Sequence, residues 1–416
     1  MREYIKLHVT PKAETSLRAG HPWVYADEIT AVGGDYENGD PVDVYSAKER
    51  YLGTGFINDH SKIRVRIVSR NANDRMDAAF WTRRLRYALA YRRTVMSGEG
   101  DYAACRLIFG EADQFPGLTV DRFGDVLVAQ VLSLGIERIK NILFPALVTL
   151  LREEGEDIRV LYERNDVAIR ELEGMTQYKD YYTIPGLLTE TESAVSGGEH
   201  GITYITENGI RYRVDYINGQ KTGFFLDQKY NRAALSHIAR GKHVLDCFTH
   251  TGAFALNAAA AGAASVTAVD ISEDALATAR ENAHLNHMED KIRFLRADVF
   301  DLLTEMAKEG VCPYDLIILD PPAFTKSRDT IKSAIRGYKE INLKALRLLP
   351  RGGYLATCSC SHFMSNTYFC QMMHNAASDA GVSLRQIEGR QQSPDHPILW
   401  NVPETDYLKF YLFQVV

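Results

Sequence analysis

The sequence lacks the features that mark membrane, secreted and metal-stabilised proteins. No apolar run reaches the roughly 18–20 residues that a transmembrane helix requires, and the first residues have no signal-peptide pattern. The six cysteines lack the regular spacing of a disulfide framework, and the one close pair, Cys358 and Cys360, does not have the Cys-x-x-Cys spacing of zinc sites. We therefore expect a cytoplasmic protein with reduced cysteines, no membrane association and no metal site.

The chain also lacks the glycine-rich fingerprint of dinucleotide-binding proteins, although a strand–loop–helix–strand unit is predicted between Lys242 and Asp270. Gly252 alone remains in its turn, so close approach of a pyrophosphate is not expected. Both strands of the unit end in carboxylates, Asp246 and Asp270, which meet at the ligand-binding edge of a parallel sheet. S-adenosylmethionine (SAM), which carries a sulfonium cation and a ribose but no phosphate, fits this pattern, and Asp270 would accept hydrogen bonds from both ribose hydroxyls. The alternative is an ordinary βαβ unit with solvated aspartates.

Two further predicted strands end in carboxylates. Asp298 follows the third strand, where it would accept a hydrogen bond from the adenine amine, although a helix cap is the commoner role of one aspartate. Asp320 begins the rigid turn Asp320-Pro321-Pro322, which with Phe324 would bind an extruded base unless it merely ends the strand. A polar segment before a helix predicted over residues 229–239 supplies more candidates for cofactor binding: Gln220, Lys221, Thr222, Phe225 and Asp227.

The motif Thr357-Cys358-Ser359-Cys360 indicates which atom would be modified. Carbon-5 of a pyrimidine becomes nucleophilic only after a nucleophile has added to carbon-6, and a thiolate is well suited to that addition. Cys358 is the first candidate for this nucleophile and Cys360 the second, while Asp320 would hydrogen-bond the pyrimidine near N3. The alternative for either cysteine is a small, buried, apolar packing residue.

The N-terminal part of the chain combines predicted strands with concentrated positive charge. Residues 1–72 have the alternation and turn signals of a small β-rich domain, and a long amphipathic helix is predicted over 76–96. Although the net charge is −6, ten basic residues stand against two aspartates between Ser61 and Arg93. This excess of positive charge indicates a phosphate-binding surface that includes Arg64 and Arg66. The alternative is that these residues form one solvated strand and one solvated helix face with no ligand.

Six motifs, in this order along the chain, resemble those of the PUA-containing, SAM-dependent ribosomal RNA methyltransferases of the RlmI family. They are Gly20-His21-Pro22-Trp23-Val24, the segment from Phe115 to Asp125, the segment from Gln220 to Gln228, Asp246-Cys247-Phe248-Thr249-His250-Thr251-Gly252, Asp320-Pro321-Pro322-Ala323-Phe324, and Thr357-Cys358-Ser359-Cys360-Ser361.

The resemblance implies an α/β protein with three domains: a PUA RNA-binding domain over 1–72, a central α+β domain over 73–190, and a Rossmann-like methyltransferase domain over 191–416. It further implies SAM as the cofactor, with Phe248, Thr251 and Gly252 in its site, and homodimers. The implied reaction is methylation of carbon-5 of a cytosine in 23S ribosomal RNA. Two alternatives stay open: a SAM-dependent enzyme that methylates a base nitrogen without covalent catalysis, and a non-catalytic RNA-binding factor.

Overall fold

The computed structural model describes residues 4–188, 199–310, 312–325 and 327–416. The chain divides into two compact units, which are described separately below. The first consists of Met1–Ile205, Val214–Leu226 and Pro394–Thr405, and the second of Thr206–Arg213, Asp227–Ser393 and Asp406–Val416. The predicted boundary at residues 190 and 191 lies outside the described residues. In the described part of the chain, no helix is long and apolar enough to cross a membrane.

The first unit begins with a six-stranded sheet. Its strand order is β2-β6-β5-β4-β1-β3, and its strands and one helix are β1 (Ile5–Val9), α1 (Pro11–Arg18), β2 (Trp23–Tyr25), β3 (Ile29–Val32), β4 (Pro41–Ser46), β5 (Tyr51–Ile57) and β6 (Ile63–Ser69). The alternation predicted for β6 is confirmed, because Val65 and Ile67 are buried in the core of this sheet.

A second sheet, with the order β11-β10-β9-β8-β7, completes most of the first unit. Its elements are α2 (Ala78–Val95), β7 (Ala104–Phe109), β8 (Leu118–Phe123), β9 (Val126–Val131), α3 (Leu134–Glu153), β10 (Val160–Asn165), α4 (Ile169–Leu172) and β11 (Tyr178–Tyr181). The predicted helix over 76–96 is α2, which begins where the Asp77 carboxylate accepts a hydrogen bond from the Phe80 N–H at 2.9 Å. A hairpin of β12 (Ile202–Glu207) and β13 (Ile210–Asp215) follows.

The second unit contains a seven-stranded sheet between helices. Its elements are α5 (Lys229–Ala234), α6 (Ser236–Ala239), β14 (His243–Cys247), α7 (Ala253–Ala260), β15 (Ser265–Asp270), α8 (Glu273–Leu285), β16 (Ile292–Arg296), α9 (Val299–Glu309), β17 (Leu316–Leu319), α10 (Ile331–Leu348), β18 (Tyr354–Ser359), α11 (Asn366–Ala380), β19 (Leu384–Arg390) and β20 (Lys409–Val415). The helix predicted over 229–239 is instead two short helices, α5 and α6, that are separated at Leu235.

The strand order of this sheet, β16-β15-β14-β17-β18-β20-β19, defines where a ligand would bind. The five strands from β16 to β18 are parallel, and β20 and β19 are antiparallel to their neighbours. The chain runs outward from β14 in one direction and then returns to β17 on its other side. The crevice at the carboxyl ends of β14 and β17 is therefore the topological switch point, where α/β proteins bind their ligands.

A buried ion pair fixes helix α5, which follows directly after Gln228. Arg232 donates to both carboxylate oxygens of Glu207, from Nε at 2.7 Å and from Nη2 at 2.8 Å. Both side chains are almost completely buried, and the charge of Glu207 raises the pKa of Arg232 against the opposing effect of burial. A pair of this kind is costly to break from one side, because the remaining charge stays buried without a partner.

We expect Arg232→Met to lower the free energy of unfolding by about 3–5 kcal/mol, because Glu207 is left as an isolated buried carboxylate. Urea denaturation followed by circular dichroism measures this change. The double variant Glu207→Leu/Arg232→Met removes both charges and is expected to be more stable than the single variant. A single variant that unfolds like the wild type would contradict the role of this ion pair.

Candidate active site

Asp246 is the last residue but one of β14, at the strand end that borders the switch-point crevice, and it is fully buried. Its Oδ2 atom accepts hydrogen bonds from the Thr249 hydroxyl at 2.5 Å and from the Ala255 backbone N–H at 3.0 Å. Its Oδ1 atom has no hydrogen-bond partner among the described residues. Because a buried carboxylate oxygen without a donor is costly, this atom marks a place where a hydrogen-bond donor or a positive charge on a ligand would be stabilised.

The loop between β14 and α7 has a strained backbone. Phe248 and His250 have φ angles of 63° and 52°, in the left-handed region that residues with a Cβ atom rarely adopt. Two backbone hydrogen bonds of 2.9 Å hold the loop in this conformation, from the Thr249 N–H to the Val269 carbonyl and from the His250 N–H to Asp270 Oδ2. Strain that is held in this way is typical of ligand-binding loops.

The end of the same loop packs closely against α8. Gly252 has a φ of 83°, and a Cβ atom on it would lie 3.0 Å from the Cβ atom of Ala279. The carbonyl of Thr251 accepts a hydrogen bond from Asn282 Nδ2 at 3.0 Å. These contacts explain why a single glycine is needed in this turn, and they place the predicted cofactor residues Thr251 and Gly252 beside the crevice.

The two other strand-end aspartates have different surroundings. Asp270 accepts the backbone N–H groups of His250 and Ser272, one on each carboxylate oxygen and both at 2.9 Å. Asp298 is exposed, and its Oδ1 atom accepts two backbone N–H groups of the first turn of α9 at 2.8 and 3.3 Å. Asp298 is thus a helix cap, the role noted above as the commoner one, and its contact with adenine stays a prediction, as does the contact of Asp270 with the ribose.

A cysteine and a glutamine meet the carboxyl group of Asp320 on the other side of the switch point. Gln228 donates from Nε2 to Asp320 Oδ1 at 3.1 Å, and Asn231 holds Gln228 by donating to its Oε1 atom at 2.6 Å. Leu319 pairs with Thr357, so Asp320 and Cys358 follow adjacent paired residues. Burial raises the pKa of the Cys358 thiol, which is close enough to Asp320 and Gln228 for both to affect it. The structure therefore brings together the predicted nucleophile and the predicted base-binding acid. Gln228 was predicted only as part of a pocket-lining segment.

Negative charge accumulates in this crevice. Burial is the main reason that the pKa of Asp246 is raised to about 7. The charges of Asp320 and Asp270 contribute to this shift, and the hydrogen bonds from Thr249 and Ala255 oppose it. Burial likewise raises the pKa of Asp320 to about 6, with an additional contribution from the charge of Asp227. A cation bound here would relieve this repulsion. The side chains of the crevice therefore fit SAM, whose sulfonium and amino groups are positively charged.

The second cysteine has a more polar and less buried environment. Cys360 is partly exposed, whereas Cys358 is fully buried, and burial raises the pKa of the Cys358 thiol. Lys409 lies near Cys360: its Nζ atom donates to the carbonyls of Ser361 at 2.7 Å and Tyr407 at 2.8 Å. Burial lowers the pKa of Lys409 to about 8, although the charge of Cys360 opposes this shift. The sequence prediction missed Lys409, for which the available signal was one lysine at the start of an otherwise apolar strand.

The remaining cofactor candidates belong to different units. Asp227, in the second unit, is buried and accepts a hydrogen bond from the Tyr407 hydroxyl at 2.6 Å. Gln220, Lys221, Thr222 and Phe225 belong to the first unit, so that their contact with the cofactor stays a prediction. Within the first unit, the Thr222 hydroxyl donates to the carboxylate of Asp121, and the Lys221 ammonium lies 4.6 Å from the centre of the Phe225 ring.

The candidates for substrate binding on the Asp-Pro-Pro turn are partly committed to packing. Pro321 is buried and Pro322 is exposed. The Phe324 ring lies 4.5 Å from the ring of Tyr338 and 5.9 Å from that of Phe300, between ring centres. Stacking of Phe324 on a base stays a prediction that must be reconciled with these contacts.

The two arginines of β6 are both engaged in ion pairs. Arg64 donates to Asp59 at 2.6 Å, and Arg66 donates to Glu173 at 2.6 Å while lying 3.6 Å from Glu111. These pairs neutralise much of the charge on which the prediction of phosphate binding by Arg64 and Arg66 was based. Their contact with RNA stays a prediction.

Comparison with known proteins gives the class. Residues 189–414 match the family of S-adenosylmethionine-dependent methyltransferases, and residues 7–70 match the PUA-like domain. A putative SAM-dependent methyltransferase from Streptococcus mutans has the same fold, with a TM-score of 0.80 at 22% identity over 99% of this chain and 100% of that one. A putative methyltransferase in complex with SAH gives a TM-score of 0.81 at 21% identity, with the same coverage. The chain is a SAM-dependent methyltransferase, so the predicted fold class and cofactor are confirmed.

Curated relatives define the family more closely. Ribosomal RNA large subunit methyltransferase I of Shewanella denitrificans is 40% identical over 407 residues, which cover 97% of this chain and 98% of that protein. The protein of the same name from Escherichia coli is 36% identical over 414 residues, with 99% and 100% covered. The chain belongs to the ribosomal RNA large subunit methyltransferase I family, as its motifs indicated.

The titration of Asp246 predicts a pH-dependent effect of its replacement. The folded protein binds the Asp246 proton more tightly than the unfolded chain, so between pH about 4 and about 7 the stability of the wild type falls as pH rises. Asparagine retains an oxygen for Thr249 and Ala255 but does not titrate. We expect the difference between the melting temperatures of Asp246→Asn and the wild type (variant minus wild type), measured by calorimetry, to become more positive from pH 5 to pH 8. A difference that is constant over this range would show that burial of the charge is not costly.

Proposed function

We propose that this protein methylates carbon-5 of a cytosine in large-subunit (23S) ribosomal RNA through a cysteine adduct at carbon-6. The substrate class rests on the name of relatives that are up to 40% identical over nearly the whole chain. The choice of the carbon atom rests on one observation, the position of Cys358 beside Asp320 at the carboxyl ends of β17 and β18. Methylation of a base nitrogen does not require a thiol in this position.

The chemistry assigns a task to each of these side chains. When bound, SAM supplies an electrophilic methyl group. As the sulfur of Cys358 bonds to carbon-6, its proton passes to the Asp320 carboxylate and from there to N3, so that the π electrons of the ring make carbon-5 nucleophilic. A pKa of about 6 suits Asp320 to this exchange, since both of its protonation states are populated near neutral pH. After methylation, a base removes the carbon-5 proton and the carbon-6–sulfur bond breaks. The N3 proton returns through Asp320 to the released thiolate, which restores both the aromatic ring and the Cys358 thiol.

The strand-end acids and the β14–α7 loop hold the cofactor in this proposal. Asp246 faces the cationic part through its free Oδ1 atom, and Asp270 accepts the ribose hydroxyls with the lone pairs that its two backbone hydrogen bonds leave. Phe248, Thr251 and Gly252 belong to the adjoining loop, and Asp227 and Asp298 are further proposed contacts of the cofactor. Gln220, Lys221, Thr222 and Phe225 complete the set by resemblance to the family.

Either cysteine is a candidate for the nucleophile. The surroundings of Cys358 favour proton transfer to Asp320, whereas those of Cys360 favour the thiolate. Cys358 lies beside Asp320, but its burial favours the neutral thiol. Cys360 is more exposed and lies near the Lys409 ammonium, which would favour its thiolate. We retain Cys358 as the first candidate because its position beside Asp320 supplies a proton acceptor, and Cys360 as the second.

Single replacements of the two cysteines separate these assignments. We expect Cys358→Ala to lower the formation of 5-methylcytidine in ribosomal RNA by on the order of a thousandfold or more, with unchanged binding of SAM in calorimetry. Cys370→Ala, which replaces an exposed cysteine of α11, is the matched control and should retain activity. Mass spectrometry of the digested RNA identifies the nucleoside.

The other outcomes of this experiment are equally informative. Loss of activity in Cys360→Ala alone would make Cys360 the nucleophile. Full activity in both variants would exclude thiolate catalysis, and a product methylated on nitrogen would establish the non-covalent alternative. A wild-type protein that binds RNA but not SAM would be a non-catalytic RNA-binding factor. Assembly as a homodimer is part of the same proposal by resemblance, and sedimentation of the purified protein tests it.

A further inference from the structure

A cavity of about 480 Å³ lies along α2 in the first unit, far along the chain from the motifs that define the methyltransferase site. Its volume is within the range of about 300–1,000 Å³ that is typical of small-ligand sites. The wall is polar and aromatic, and the residues that carry the argument are Asn71, Arg83, Arg84, Tyr87, Tyr91 and Gln114. This set of side chains is unusual for a packing defect, because arginine and tyrosine predominate.

The acidic side chains of the wall are already neutralised. Asp113 accepts two hydrogen bonds from the guanidinium of buried Arg92, at 2.5 and 2.7 Å. Asp74 accepts from Arg83 Nη2 at 3.1 Å and from the Ser69 hydroxyl at 2.6 Å. Each of the two carboxylates therefore has an arginine partner, and neither one opposes the binding of an anion.

Arg84 is the cation of the wall without a carboxylate partner among the described residues. Its guanidinium donates to the amide oxygen of Gln114 and lies 4.7 Å from the centre of the Phe80 ring. It is partly buried, and burial lowers the pKa of Arg84 to about 10, so it stays charged at neutral pH. The charge of Asp74 acts on Arg84 but forms no direct ion pair with it, and a partly desolvated guanidinium of this kind can bind a phosphate or a carboxylate.

Two tyrosine rings, one helical turn apart on α2, line the same cavity as this guanidinium. Tyr87 is 66% exposed, and Tyr91 is exposed as well. The Tyr91 hydroxyl is fixed by donating to the carbonyl of Pro394 at 3.0 Å, also in the first unit. The ring of Tyr87 has no stacking partner among the residues that the structure describes. Large exposed aromatic rings next to a cation are the means by which proteins bind unpaired nucleotides.

We propose that this pocket binds one unpaired nucleotide of the RNA substrate, with Arg84 on a phosphate and Tyr87 stacked on the base. The proposal rests on the proposed function and deepens it, since it adds an RNA contact outside the methyltransferase site and the PUA-like domain. An acidic protein segment would satisfy Arg84, but it has no planar ring for Tyr87. The ion-paired state of Arg64 and Arg66 increases the need for a contact of this kind.

Binding of a fluorescein-labelled oligouridylate to the full-length protein, followed by anisotropy at several salt concentrations, tests the proposal. We expect Tyr87→Ala to weaken binding by about 5- to 100-fold through lost stacking, and Tyr87→Phe to bind like the wild type. Arg84→Gln should weaken binding and reduce the slope of log K against log salt by about 0.7, which corresponds to one phosphate contact on a single strand. Arg86→Gln, which removes an exposed charge of the same helix that is paired with Glu153 outside the pocket, is the matched control and should have an effect below about twofold.

The results that would contradict nucleotide binding in the pocket differ from those that would contradict the proposed methyltransferase function. Wild-type affinity in both Tyr87→Ala and Arg84→Gln, or equal weakening by Arg86→Gln, would overturn the pocket even if the enzyme methylates ribosomal RNA normally. In a competition experiment, polyglutamate and polyuridylate are compared as competitors of the labelled oligonucleotide. If both displace it equally well, the pocket would be assigned to an acidic protein segment instead. Absence of methyl transfer to deproteinised ribosomal RNA by the wild type would overturn the proposed function, while the binding comparison would still decide the pocket. Thermal melting of each variant verifies that it is folded.

Discussion

The burial of carboxylates, with repulsion between them as a smaller effect, is the constraint on which the site depends. Asp246 and Asp320 are held on opposite sides of one switch point, and each raises the free energy of ionising the other. A fold does not gain stability from this arrangement, because unpaired buried charge is unfavourable. The arrangement is favourable once a cation enters the crevice, and the family to which the chain belongs uses SAM, a cofactor with two cationic groups. If the cofactor binds in this crevice, we expect the buried carboxylates to lower the stability of the free protein and to increase its affinity for SAM.

The parallel register of the sheet converts this constraint into geometry. Cys247, at the end of β14, pairs with Leu319, at the end of β17, and Leu319 in turn pairs with Thr357 of β18. Asp320 directly follows Leu319, and Cys358 directly follows Thr357. The pairing of Leu319 with Thr357 therefore brings the carboxyl group and the thiol together without a specialised loop. Gln228 then joins them from the segment before α5, which the buried pair of Arg232 and Glu207 anchors.

The local parts of this site were predictable from the sequence. Short apolar runs that end in aspartate, followed by a glycine or by Pro-Pro, are read from the chain without knowledge of distant contacts, and β14, β15 and β17 occur where they were predicted. What depends on distant contacts was not predictable. Lys409 reaches Ser361 only because β20 runs antiparallel to β18, and Arg66 is neutralised by Glu173, which is more than a hundred residues away in the chain. Charge counted along the sequence therefore overstated the positive surface of β6.

The proton balance of cofactor binding tests the central claim most directly. If the crevice binds SAM because its carboxylates lack a cation, binding must lower their pKa values and release protons between about pH 5 and pH 7. Calorimetric titration of SAM in buffers that differ in ionisation enthalpy measures this release. The account predicts proton release near pH 6, affinity that rises with pH over this range, and a smaller release in Asp246→Asn. Binding of SAM without proton exchange, at the same affinity from pH 5 to pH 8, would contradict it.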